Sequence, residues 1–152
     1  MNRLTLFVLV LFLVIFCHSV IAQDWKYDIE EAKSLAKEKD QNIVLFFTGS
    51  DWCPPCIRLE KNILSNKEFM IFADQKFVWL KADFPKRKKN KPSFAQQKKN
   101  KVLAQKYNRK RVFPVILVLD KEGKVLGVTG YRRNLDAKGY ISLLTSFDSF
   151  GR

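Results

Sequence analysis

The sequence predicts an α/β fold, a central mixed sheet of four to five strands flanked by helices on both faces. Three observations predict it. Helix-like and strand-like stretches alternate along the chain. Ile43 to Phe47 is an unbroken apolar run of the kind buried on both faces of a sheet, and Val115 to Leu119 is a second strand-like apolar run. The second run is followed by a turn, Asp120-Lys121-Glu122-Gly123, and a returning strand, which introduces antiparallel pairing.

The first 22 of the 152 residues read as a targeting segment rather than part of that fold. Arg3 supplies a short positive n-region, and Leu4 to Phe16 is apolar except for Thr5. Val20 and Ala22 then occupy the −3 and −1 positions of a signal-peptide cleavage site before Gln23. An uncleaved membrane anchor is one alternative, of borderline length for a span. A lipoprotein site at Cys17 is another, poorly served by bulky Phe16 before it. In all three cases the remaining chain is exported, to the periplasm or beyond. Residues 23–152 are expected to form one domain carrying a basic insertion at 84–101.

Within that domain, Asp28-Ile29-Glu30-Glu31 has the form of a capping box, and Ile29, Ala32, Leu35 and Ala36 follow at helical spacing, predicting a helix to Lys39. Ile43 to Phe47 is the central strand. Pro54 and Pro55 fit a helix start, where an N–H would be unpaired anyway, and that helix runs through Leu59 and Ile63. Ser65-Asn66-Lys67-Glu68 starts a short helix at Phe69 to Phe72, and Phe77 to Asp83 is the next strand. Ser93-Phe94-Ala95-Gln96 caps a helix leading to Tyr107. The chain is strand-like again from Val112, returns antiparallel over Val125 to Thr129, and ends in a helix burying Tyr140, Ile141, Leu143, Leu144 and Phe147.

Composition narrows the chemistry. An apolar content of 47%, with thirteen Phe, supports a packed core. Loss of residues 1–22 removes one of the three Cys and the single His, His18. Cys–His and Ser–His–Asp catalysis are thereby excluded from the mature chain, and a zinc site would need carboxylates to complete four ligands. No metal or cofactor is expected. An exported pair of cysteines reads as a disulfide or a redox couple.

Those two cysteines stand in Phe46-Phe47-Thr48-Gly49-Ser50-Asp51-Trp52-Cys53-Pro54-Pro55-Cys56, after a buried strand and at the start of a helix. Residues three apart share a helical turn, so the sulfurs can bond without backbone movement. A helix N-terminus favours the thiolate, the reactive form. Cys53, at the helix mouth, is the expected attacking thiol, and the more buried Cys56 the resolving one. An inert local disulfide, or half of a metal site, is the plainer alternative.

Trp52-Cys53-Pro54-Pro55-Cys56, followed by Leu103-Ala104-Gln105-Lys106-Tyr107 and Val112-Phe113-Pro114-Val115, resembles the thioredoxin superfamily, in particular exported bacterial thioredoxin-like reductase domains. The resemblance spans about residues 40–145. It implies a thioredoxin-like fold, catalysis by Cys53 and Cys56, and Pro114 as a cis-proline facing the dithiol. It also implies substrate contacts through Trp52, the backbone of Phe113, Pro114 and Gly130. The partners it implies are protein thiols and disulfides, with a membrane thiol reductant as electron source.

Departures from the family pattern bear on mechanism. The family's buried aspartate, six residues before the first cysteine, is replaced by Phe47, and its lysine partner corresponds to Trp79. Asp51, Glu60 and water are the substitutes left for accepting the Cys56 proton, although Asp51 reads more simply as a solvated loop acid. The Pro54-Pro55 dipeptide offers no cationic side chain to a thiolate and removes a helix-mouth N–H. Both features argue for a reductant over a strong oxidant.

Lys86 to Arg111 holds twelve Lys or Arg and no acid, nearly the whole of the chain's net charge of +13. Such a run reads either as a solvated face or as a patch for acidic partners or an anionic envelope surface. Only Phe94 and Tyr107 interleave it, so nucleic acid is not an expected partner. Two other functions compete with an oxidoreductase. One is a binding module using the Phe113–Pro114 groove and the basic surface with its cysteines locked. The other is a chaperone for a soft ion such as Cu(I).

Overall fold

The structure, a computed structural model, describes residues 23–149. The targeting segment expected at 1–22, with Cys17 and His18, lies outside the described residues. A two-residue strand, β1 (Trp25–Lys26), precedes the first expected element. Helix α1 (Ile29–Lys39) starts where Asp28 Oδ1 accepts from the amides of Glu30 and Glu31, at 2.9 and 3.1 Å. It stops at Asp40, which takes a left-handed conformation with φ 53°.

Strand β2 (Asn42–Thr48) leads into α2 (Pro54–Leu59), which continues through a π turn over Glu60–Leu64. Helix α3 (Lys67–Lys76) is longer than the expected single turn and is capped by Asn66, whose side chain accepts from the Phe69 amide. Then come β3 (Phe77–Asp83), α4 (Phe94–Tyr107), β4 (Val115–Leu119), β5 (Val125–Gly130) and α5 (Ala137–Ser149). Ser93 caps α4 through its hydroxyl, which accepts from the Gln96 amide at 3.2 Å.

The strands form one sheet in the order β1-β3-β2-β4-β5. β1, β3 and β2 run parallel, whereas β4 is antiparallel to both β2 and β5. Strand alternation divides the core into two layers. Val44, Phe46, Trp79 and Ile116 face α2, α3 and α5, which contribute Leu59, Phe69 and Tyr140. Ile43, Leu45, Phe47 and Leu80 face α1 and α4, which contribute Ala32, Ala36 and Leu103. This is the mixed sheet with helices on both faces that the sequence predicts.

The register explains where the chemistry sits. Phe47 pairs with Val115, and Val115 in turn with Gly130, so the chain after β2, the Phe113–Pro114 peptide and the end of β5 meet at one end of the sheet. Of the expected insertion, residues 84–93 are loop with one 3₁₀ turn at Lys88–Asn90, and residues 94–101 are the first half of α4.

Candidate active site

β2 ends in a tight turn whose geometry depends on Gly49. The amides of Trp52 and Cys53 both donate to the Gly49 carbonyl, at 3.2 and 2.9 Å. The Trp52 indole folds back over Gly49 so closely that a β-carbon there would stand 2.5 Å from the ring. Trp52 itself is fixed: its Nε1–H donates to the Phe84 carbonyl at 2.7 Å, and its ring meets that of Phe113 edge-on with 5.6 Å between centroids.

Cys53 is the N-cap of α2, and its Sγ accepts from the Cys56 amide at 3.3 Å. The two cysteines form a disulfide with 5.2 Å between α-carbons. Cys56 is wholly buried and Cys53 is 3% exposed, so what access exists is to Cys53. Because Pro54 and Pro55 carry no N–H, the Cys56 amide is the first of α2 able to donate to that sulfur.

The Phe113–Pro114 peptide is cis, and Pro114 is buried at the start of β4. Gly130 lies beside it, where a β-carbon would approach the Pro114 carbonyl to 3.1 Å. The Gly130 carbonyl accepts from the Tyr140 hydroxyl at 3.0 Å, and that hydroxyl accepts from the Arg132 amide at 2.7 Å. Burial raises the Tyr140 pKa above its ordinary value, against the opposing effect of the Arg132 amide. The structure therefore gathers Trp52, Cys53, Cys56, Phe113, Pro114 and Gly130 at one end of the sheet.

Two carboxylates hold the turn, and the sequence reading found neither role. Asp83, at the end of β3, takes the Ser50 amide and hydroxyl on its two oxygens, at 3.0 and 2.6 Å. Asp51, the surface loop acid that the sequence predicts, also accepts from the amides of Lys86 and Arg87 and from the Asn90 side chain, each at 2.9 Å. Desolvation works to raise its carboxyl pKa, but these three donors together bring it below the ordinary value. Asp51 is thus a latch between the active-site turn and the basic loop.

The correspondence of Phe47 and Trp79 with the family's buried acid and lysine also needs correction. Phe47 packs in the layer of α1 and α4, opposite Ala82, whereas Trp79 packs in the other layer and donates its Nε1–H to the Ala73 carbonyl. They do not face one another across the sheet. The acid–lysine pair next to α2 is Glu60 with Lys81, whose ammonium also lies 4.3 Å from the centre of the Trp25 ring. Glu60 follows Cys56 by one helical turn.

With the dithiol, the cis-proline and the mixed sheet in place, the chain belongs to the thioredoxin-like family, whose model matches residues 24–121. Within that family it is a thiol–disulfide oxidoreductase. It is 37% identical over 116 residues to the disulfide bond reductase DsbH of Chlamydia pneumoniae, spanning 76% of this chain and 68% of that one. A solved DsbH oxidoreductase superposes with a TM-score of 0.75 at 32% identity, covering 86% of this chain and 88% of the other. A thioredoxin from Thermus thermophilus shares the fold, with a TM-score of 0.59 at 21% identity over 84% of this chain and 88% of that one.

Among the described residues, no cluster of three or more His, Cys, Asp or Glu is arranged to hold a metal, and no helix is long and apolar enough to cross a membrane.

Proposed function

We propose that the protein is an exported disulfide reductase, working as one domain over residues 23–152 behind its targeting segment. Cys53 is its nucleophile and Cys56 its resolving thiol. The observation that carries this reading is the arrangement at the mouth of α2. Cys53 is the sulfur with residual access, it receives a backbone N–H, and no cationic side chain lies in the Pro54-Pro55 dipeptide to overstabilise a thiolate. Similarity to a protein named as a disulfide bond reductase supports the same direction.

The exchange proceeds in two displacements. The Cys53 thiolate attacks one sulfur of a substrate disulfide, forming a mixed disulfide and releasing the first substrate thiol. The Cys56 thiolate then attacks Cys53 Sγ, releasing the second thiol and leaving the Cys53–Cys56 disulfide seen here. Two electrons pass to the substrate, and a dithiol donor, such as a membrane thiol reductant, restores the enzyme. Asp51 is committed to the loop, so Glu60 and water remain to accept the Cys56 proton. Trp52, Phe113, Pro114 and Gly130 line the groove in which the substrate chain is held.

Equilibration against a series of glutathione ratios tests the direction. A potential near roughly −270 mV is expected, not one near about −120 mV. A strongly oxidising value would overturn the reductase reading in favour of disulfide introduction.

A further inference from the structure

Three cations of the basic segment lie on aromatic rings: Lys106 rests on its neighbour Tyr107, and the other two rest on the cluster of rings around Trp52. The Lys86 ammonium stands 4.1 Å from the centre of the Trp52 ring, and the Arg111 guanidinium 5.3 Å from that of Phe84. Phe113 touches both rings, at 5.6 Å from Trp52 and 5.5 Å from Phe84. Trp52, Phe113 and Phe84 therefore form a continuous aromatic floor, partly open to solvent, that begins at the residue before Cys53 and includes the residue before the cis-proline. A cation sits at each end of it.

Both cations are held from below. Asp51 and the Trp52–Phe84 hydrogen bond fix the loop that carries Lys86. The buried Asn108 side chain brackets Val112, accepting from its amide at 3.0 Å and donating to its carbonyl at 2.9 Å. Between those two residues Arg111 has φ 54°, a conformation glycine would adopt with less strain. An arginine kept in a costly backbone conformation beside a substrate groove points to a role for its side chain.

Among the described residues, neither Lys86 nor Arg111 is within ion-pair distance of a carboxylate, although six other lysines are. Their positive charge is unspent at the edge of the site.

We infer that Lys86 and Arg111 are specificity-determining residues that select polypeptide disulfides whose target cysteine is flanked by Asp or Glu. This rests on the assignment of the groove to substrate made above. An extended segment lying over Trp52 and Phe113 with its cysteine at Cys53 would bring its flanking side chains to the two ends of the floor. Carboxylates there gain charge-assisted hydrogen bonds from cations already ordered against aromatic rings, so less side-chain freedom is lost on binding. Lys88 and Lys89, farther along the loop, contribute only long-range attraction.

The test compares three disulfide peptides that differ only in the residues flanking cysteine: Glu, Gln or Lys. At 0.15 M salt, where the screening length is about 8 Å, the unaltered enzyme is expected to favour the Glu peptide over the Gln peptide by roughly five- to tenfold in kcat/KM. Lys86→Gln with Arg111→Gln should bring that ratio close to one, and Lys86→Glu with Arg111→Glu should shift preference to the Lys peptide. Lys88→Gln with Lys89→Gln should keep the ratio. The proposal is overturned if the unaltered enzyme does not distinguish the peptides. It is equally overturned if the Lys88/Lys89 variant loses the preference as fully as the Lys86/Arg111 variant, which would leave only diffuse steering. A small neutral disulfide separates this from the parent reading: its reduction by the unaltered enzyme establishes exchange independently of any peptide preference.

Discussion

The active-site turn, residues 49–56, and the basic loop, residues 84–91, are packed against each other yet specified in different ways. The turn closes mainly on its own neighbours, with Asp83 of β3 adding an outside tie through Ser50. Gly49 receives the Trp52 and Cys53 amides, and Cys53 caps the helix that holds Cys56. The loop has only the single 3₁₀ turn at Lys88–Asn90 as local structure and is placed by a carboxylate 35 to 39 residues earlier, on Asp51. A charge run that composition alone treats as solvated is, at its first residues, part of the wall of the site. Local hydrogen bonding makes a motif readable; a distant latch hides a structural role in ordinary residues.

The largest effect that tests this contrast lies in the turn. Cys53→Ser should abolish disulfide exchange, since no other accessible thiol stands among the described residues. Cys56→Ser should instead trap mixed disulfides with substrates, because the resolving step is lost. Non-reducing gels distinguish the two, and full exchange by the Cys53 variant would remove it from the nucleophile's role.

Next comes the packing that joins turn to loop. Gly49→Ala would place a β-carbon 2.5 Å from a Trp52 ring that cannot yield, being hydrogen-bonded to Phe84 and wedged against Phe113. Overpacking of this kind costs about 1–3 kcal/mol. Urea unfolding should show that loss, and the Trp52 displacement should appear as changed tryptophan fluorescence with slower exchange. An unshifted midpoint would mean that the indole can move aside, so that the turn is looser than its hydrogen bonds imply.

What the sequence made legible follows the same division. The helix from Ile29 to Lys39, the strand from Phe77 to Asp83 and the helix ending at Tyr107 were readable because each carries its own cap, period or apolar run. The cysteine pair was readable for the same reason. Strand β1 was not, because two residues have no period and Trp25 acquires its role only beside Trp79 and Lys81. The π turn at Glu60–Leu64 left no local mark either. The Phe47–Trp79 correspondence failed because matching sequence positions does not fix which sheet face each one meets. Asp51 and Asp83 were missed since a carboxylate whose donors lie 33 or more residues away looks, in sequence, like any acid at a loop or strand end.

The smallest expected effect is the most specific to the latch. Asp51→Asn keeps the shape of the side chain but removes the charge that receives the Lys86, Arg87 and Asn90 donors. Global stability should change little, because the contact is at the surface and the core layers do not involve it. The loop should respond instead, with faster amide exchange at Lys86 and Arg87 and earlier tryptic cleavage within residues 86–91. Acid should reproduce this in the unaltered protein. The folded carboxyl titrates below its ordinary value of 3.8, so the latch is fully present above that value and is lost only as pH falls through the lower, folded one. Amide shifts of Lys86 and Arg87 should therefore be flat from pH 8 to pH 5 and move only at lower pH, whereas the Asn variant should show no such transition. A transition near neutral pH, or loop exchange unaltered by Asp51→Asn, would show that the basic loop is held by its other contacts: Trp52 on the Phe84 carbonyl and Lys86 on the indole.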